Sequence, residues 1–168
     1  MSRILLIDGS NIYEAAKSIN LRIDYKRLLD LFSEDGGLVR AYYFTALPNR
    51  SVQSPNIKLA DWLSYNGYIV VDKEYSEYTD DAGITKIKGN MDLEIAAYCY
   101  EAATIVTEIV LFSGDGDFTI VVDKIQQRYA SKFTVVSSMK LINNKLRKQA
   151  DTFIDLELLR SDIQQERT

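Results

Sequence analysis

Histidine is absent from all 168 residues. That absence removes the commonest general base, the Ser-His-Asp triad and the usual zinc sites together. Any catalysis must rest on carboxylates, lysine, tyrosine, serine or a hard metal ion. The single cysteine, Cys99, allows no disulfide within the chain and is expected to be a small buried hydrophobe, in keeping with a reducing cytoplasm. No run approaches the roughly 18–20 apolar residues that a membrane span needs, so no membrane contact is expected. The apolar run at residues 4–7 is broken at once by Asp8 and does not read as a signal peptide. Positive charge is short as well: 20 Lys and Arg stand against 24 Asp and Glu, a net charge of −4. Proteins that coat nucleic acid are usually basic, because phosphate neutralisation drives such binding. Any nucleic-acid contact here must come from a local basic patch or from metal ions. Two phosphate-binding motifs are also missing. No G-x-G-x-x-G follows the first apolar run, and no G-x-x-x-x-G-K-[ST] occurs anywhere.

What is present suits one soluble α/β domain with a real core: 46% of residues are hydrophobic and 26% charged. Residues 3–7 read as a strand buried on both faces, ending in the turn sequence Asp8-Gly9-Ser10-Asn11. A helix follows at 12–18. Asp24 is placed to cap a second helix carrying Leu28, Leu29, Leu31 and Phe32, stopped by Gly36-Gly37. Further strands are expected at 38–45, 68–73, 109–112 and 133–136, with helices at 57–65, 91–103, 118–129 and about 143–149. Residues 74–86 are polar and read as a protruding hairpin or loop. A last apolar piece, 153–156, closes the domain, expected over residues 1–156 and followed by a polar, helical tail at 157–168. Strand and helix alternate, which predicts a three-layer, Rossmann-like fold: a mostly parallel central sheet flanked by helices.

In such sheets ligands bind beyond the carboxyl ends of the strands. The turns at that edge carry Asp8 and Asn11 after the first strand, and Ser113, Asp115 and Asp117 after the strand at 109–112. Asp92 starts a helix just after Lys88. Carboxylates gathered without basic partners repel one another, and a divalent cation removes that cost. Oxygen ligands without histidine point to Mg²⁺ or Mn²⁺, which suit phosphate substrates and phosphodiester hydrolysis. Each acid alone has a plainer explanation. Asp8 suits a helix cap equally well, Asp117 suits the N-cap of the next helix, and Asp92 suits the positive end of a helix dipole. The combination on one rim is the stronger signal.

The motifs carry a resemblance. Ile7-Asp8-Gly9-Ser10-Asn11-Ile12, Lys88-Gly89-Asn90-Met91-Asp92-Leu93, Leu111-Phe112-Ser113-Gly114-Asp115-Gly116-Asp117-Phe118 and the closing Leu146…Ala150-Asp151-Thr152-Phe153-Ile154 resemble, in that order, the NYN domains of the PIN-like nuclease superfamily, specifically the LabA-like group. The resemblance spans about residues 3–156. It implies a PIN-like fold and Mg²⁺- or Mn²⁺-dependent endoribonuclease chemistry. Asp8, Asp92, Asp115 and Asp117 would be the metal-site and catalytic acids. Asn11 and Ser113 would orient ligands or bound waters, and Lys88 would face the substrate phosphate or steady the acids. One departure is visible. LabA-like members often carry another Asp two turns along the helix after the K-G-N-x-D acid, and here Tyr98 stands there, which weakens a second-metal role.

Substrate contact is expected from Lys140 and Lys145 in the basic stretch 140–148, which equally suits a solvated amphipathic helix. The implied partner is RNA, single-stranded or structured. DNA remains open as a substrate, and a homodimer remains open as the assembly. The alternative reading, from a different class, is a non-catalytic regulatory or RNA-binding module that keeps the acidic pocket.

Overall fold

The computed structural model describes residues 1–166. Its centre is a six-stranded sheet in the order β3-β2-β1-β6-β7-β8, with every neighbouring pair parallel. These strands are β1 (Arg3–Asp8), β2 (Leu38–Leu47), β3 (Ile69–Glu74), β6 (Glu108–Phe112), β7 (Lys132–Ser137) and β8 (Thr152–Asp155). The last is the expected closing apolar piece, which adds an edge strand. Between β3 and β6 the chain forms a separate antiparallel hairpin, β4 (Ser76–Thr79) and β5 (Thr85–Lys88). The helices are α1 (Gly9–Ser18), α2 (Tyr25–Ser33), α3 (Pro55–Tyr65), α4 (Asp92–Ala103), α5 (Thr119–Arg128), α6 (Asn144–Gln149) and α7 (Arg160–Ile163). Among the described residues no helix is long and apolar enough to cross a membrane.

The strand pattern explains the three layers. Alternate residues of β1 point to opposite faces, so Ile4 and Leu6 join one core while Leu5 and Ile7 join the other. The first core is closed by Ile95 and Cys99 of α4, Val122 and Ile125 of α5, and Leu146 of α6. The second is closed by Ile12 and Ala15 of α1, Leu28 of α2 and Leu63 of α3. Leu5, Leu6 and Ile7 are fully buried, each stabilising the fold by about 1.5–3 kcal/mol.

Two boundaries differ from expectation. Gly9-Ser10-Asn11 is already the first turn of α1, because turn-forming residues also favour helix starts. The Gly-Asp-Gly-Asp turn passes through a 3₁₀ turn, Gly116–Phe118, before α5 begins at Thr119. After β8, a 3₁₀ turn at Leu156–Leu159 leads into α7. Here Ile163 is fully buried in the second core, and its carbonyl accepts from the Asp24 amide at 2.7 Å. The last two residues of the expected tail, 167 and 168, lie outside the described residues.

The two ends of the sheet treat charge differently. At the amino end, Arg3 donates to both carboxylate oxygens of Asp35 (2.7 and 2.8 Å) and to Glu108 (3.0 Å). At the carboxyl end, strand order reverses between β1 and β6, since one half of the chain winds outward from β1 through β2 and the other from β6 through β7. That switch point is where open parallel sheets leave a crevice, and the acidic turns fall there.

Candidate metal centre

β1 delivers Asp8 to the crevice. It occupies the N-cap position of α1, yet its carboxylate makes no regular capping bond. Instead Ser113 Oγ donates to Asp8 Oδ2 at 3.1 Å, and Ser10 Oγ donates more weakly to Oδ1 at 3.4 Å. Asp8 is only 6% exposed. Burial pushes its pKa up. The Ser113 hydroxyl and the nearby Asn11 amide work the other way, and the charge of Asp115 adds to the rise.

β6 delivers the second turn. Ser113 is fully buried and also accepts from the Asp115 amide at 3.3 Å. Asp115, not Asp117, is the capping residue: its Oδ1 accepts from the Asp117 amide at 2.9 Å. Asp117 is thereby left free of capping work and is exposed. Asn11 Oδ1 accepts from the Gly114 amide at 2.7 Å, tying α1 to the turn after β6. Close neighbours leave no room for a side chain at two glycines, against backbone at Gly9 and against a buried hydroxyl at Gly114. A Cβ on Gly9 would lie 2.7 Å from the Phe44 carbonyl oxygen, and one on Gly114 would lie 2.7 Å from Ser137 Oγ.

The third contribution comes from α4. Its N-cap is Met91, and Asn90 Oδ1 accepts from the Asp92 amide at 3.2 Å. Asp92 is the first residue of α4, so its charge also meets the positive end of the helix dipole, and its carboxylate lies with the other acids as well. One carboxylate oxygen from each of Asp92, Asp115 and Asp117 lies within 4.8 Å of the others. Asp8 is outside that trio but beside it. The Asp92 pKa is pushed up to about 6, first by burial and then by the charges of Asp115, Asp8 and Asp117. Among the described residues none of the four is ion-paired. Mutual repulsion thus goes unrelieved by the protein.

The remaining candidates separate. Lys88 ends β5, four residues before Asp92, and is exposed. Lys145 is exposed on the first turn of α6, whose N-cap Asn143 packs on Gly116 and donates its amide to the Gly114 carbonyl at 3.0 Å. Lys140 points elsewhere: its Nζ donates to the Ser18 carbonyl at 3.1 Å, at the far end of α1. Tyr98 packs edge-on against Tyr42 and Phe44, with centroids at 5.0 and 5.2 Å, so it belongs to the core packing of β2 and α4. Sequence reasoning gave no role to Asn90, Asn143 or Ser10. Asn before a helix start is the signal that points to the first two.

Comparison with known proteins agrees with this arrangement. Residues 3–157 match the NYN domain family. The chain is 32% identical, over 164 residues, to the low amplitude and bright protein LabA of Synechococcus elongatus, covering 95% of this chain and 86% of that protein. A crystal structure of a protein of unknown function from Vibrio parahaemolyticus superposes with a TM-score of 0.78 at 28% identity, covering 92% of each chain. The acidic crevice at the β1–β6 switch point and these matches agree: the chain belongs to the NYN domain family, within the PIN-like nuclease superfamily.

Proposed function

We propose that this chain is a metal-dependent endoribonuclease that hydrolyses RNA phosphodiesters. The observation that carries the reading is the trio Asp92, Asp115 and Asp117, with ligand oxygens within 4.8 Å and no basic partner among the described residues. An all-oxygen carboxylate set suits Mg²⁺ or Mn²⁺. Oxygens within 4.8 Å of one another are close enough for small side-chain rotations to bring them onto one ion. When bound, such an ion supplies charge neutralisation at the phosphate and lowers the pKa of a bound water.

The protein's own groups divide the remaining work. Asp92, Asp115 and Asp117 would hold the ion, and Asp8, fixed by Ser113, would accept hydrogen bonds from water beside them. Asp117, exposed at the mouth, accepts a proton from the attacking water. Lys88 and Lys145 meet substrate phosphates on either side of the acids. Asn11 is a positioning residue, acting through the Gly114 amide.

The test is incubation of pure protein with single-stranded RNA plus Mn²⁺ or Mg²⁺, beside Asp8→Asn and Asp115→Asn and an EDTA control. Cleavage is expected in the wild type with metal and nowhere else. Cleavage that persists in both variants removes the assigned site. One observation favours a second reading, a regulatory or RNA-binding module without catalysis: Tyr98 fills with aromatic packing a position where a further acid would extend the metal site. A wild type that binds RNA and cleaves none selects that reading.

A further inference from the structure

The β4–β5 hairpin stands apart from both cores. Its two strands carry four residues each, and all of them are exposed. Two-stranded hairpins are marginal in water when nothing covers either face. Its base, however, is fixed. The Tyr75 amide donates to the Leu47 carbonyl at 2.8 Å, and a Cβ on Gly89 would lie 2.7 Å from Tyr75 Cβ and 3.4 Å from Ala46 Cβ. Both ends of the hairpin therefore meet at the carboxyl end of β2, on the same rim as the acids, and β5 runs within four residues of Asp92.

Register decides what each face offers. Ser76 pairs with Lys88 and Tyr78 with Lys86, while Glu77 pairs with Ile87 and Thr79 with Thr85. Directly opposed residues share a face, and successive residues alternate. One face thus presents Tyr78 flanked by Lys86 and Lys88. The other presents Glu77, Thr79, Thr85 and Ile87. Tyr78 is 49% exposed. Lys86 Nζ lies 3.2 Å from Asp80 Oδ2, an exposed pair that a phosphate can displace. Asp80 keeps its place without Lys86, because Oδ1 accepts from the amides of Ala82 and Ile84 at 3.0 and 2.9 Å.

We infer that the Tyr78–Lys86–Lys88 face of this hairpin grips unpaired RNA and leads it to the acidic cluster. An aromatic ring beside two lysines of the neighbouring strand stacks a base while the lysines meet the backbone, a match for the bases that a single strand offers and a duplex conceals. In a chain of net charge −4, such a local basic face is what a polyanion requires. The inference rests on the nuclease reading for its substrate class, and its test separates the two.

Binding of a labelled 12-nucleotide oligouridine and of a blunt RNA duplex is followed by fluorescence anisotropy in Ca²⁺, with strand integrity checked on gels. Tyr78→Ala is expected to weaken single-strand binding about tenfold, with Tyr78→Phe close to wild type and the duplex indifferent to either. Lys86→Gln is expected to reduce the slope of log affinity against log salt by about 0.7. Glu77→Gln, on the opposite face, is expected to cost nothing. Unchanged affinity and slope in both Tyr78→Ala and Lys86→Gln overturn the inference, as does equal loss on strand and duplex. So does a wild type that binds neither RNA. If Mn²⁺-dependent cleavage vanishes in Asp115→Asn while the hairpin variants bind like wild type, the hairpin assignment falls and the nuclease reading stands. Hairpin-dependent binding without any cleavage has the opposite meaning.

Discussion

Replacing Asp92 by asparagine is expected to stabilise the metal-free protein while removing its response to metal. A carboxyl moved from 3.8 to about 6 carries about 3 kcal/mol against its ionised form. Solvent screening at this half-buried site reduces the figure to about 1–2 kcal/mol. For a domain of this size each kcal/mol shifts Tm by about 2–4 °C, so Asp92→Asn is expected to melt about 2–8 °C higher in EDTA at pH 8. The sign follows from proton binding. The folded state holds the Asp92 proton more tightly than the unfolded state, so wild-type stability falls as pH rises from about 4 through about 6. The amide cannot ionise and lacks that slope, so the gain shrinks as pH falls below about 6. With Mn²⁺ the order inverts. At 100 times Kd the wild type gains about 2.7 kcal/mol by mass action, and the variant gains far less. Differential scanning calorimetry at pH 4 and pH 8, with and without Mn²⁺, reads all four conditions. A variant that melts at or below the wild type in EDTA at pH 8 refutes the repulsion argument. An undiminished Mn²⁺ shift refutes the assignment of Asp92 to the ion.

Asn11→Ala leaves the partly buried Gly114 amide without its acceptor, at a cost of about 1–3 kcal/mol. Urea unfolding should show a lower midpoint at unchanged slope, and an unchanged midpoint would mean that the bond between the two turns is dispensable. Ile163→Ala is expected to cost about 2–4 kcal/mol, as a fully buried aliphatic side chain does. A calorimetric loss below about 0.5 kcal/mol, the scale of surface substitutions, would show that α7 does not hold the second core together.

The central strands were readable because burial on both faces leaves a compositional mark: residues 4–7 and 109–112 are almost unbroken aliphatic runs. β8 was harder. Four edge residues, one exposed and three half-buried, offer too little pattern to separate strand from loop. The docking of α7 was not legible at all, since a single apolar residue, Ile163, supplies the contact within a polar stretch. At the site, the motifs brought the acids to one rim but could not order them. Asp92 suits the positive end of a helix dipole, and the structure keeps it there while also placing it in the trio, a double role that the motif alone does not reveal. Asp8 looked like a primary ligand, whereas the trio forms without it. Which way Lys140 points is decided by a distant neighbour: its ammonium reaches the end of α1, while Lys145 is exposed on the first turn of α6. Tyr98 was legible as a missing acid, and only packing shows what replaced it.

The bond from Gly114 to Asn11 joins residues 103 positions apart, and this separation bears on the making of the protein. β1 gains its second sheet neighbour only when β6 has been made. A chain made only as far as α4 therefore carries half a crevice, with Ser113 not yet there to hold Asp8 and the trio unassembled. The acids can act together only once β6 and the turn after it have joined β1. Placing the first acid and the serine that holds it in strands so far apart in sequence makes the crevice a product of long-range pairing, which neither half of the sheet can build alone.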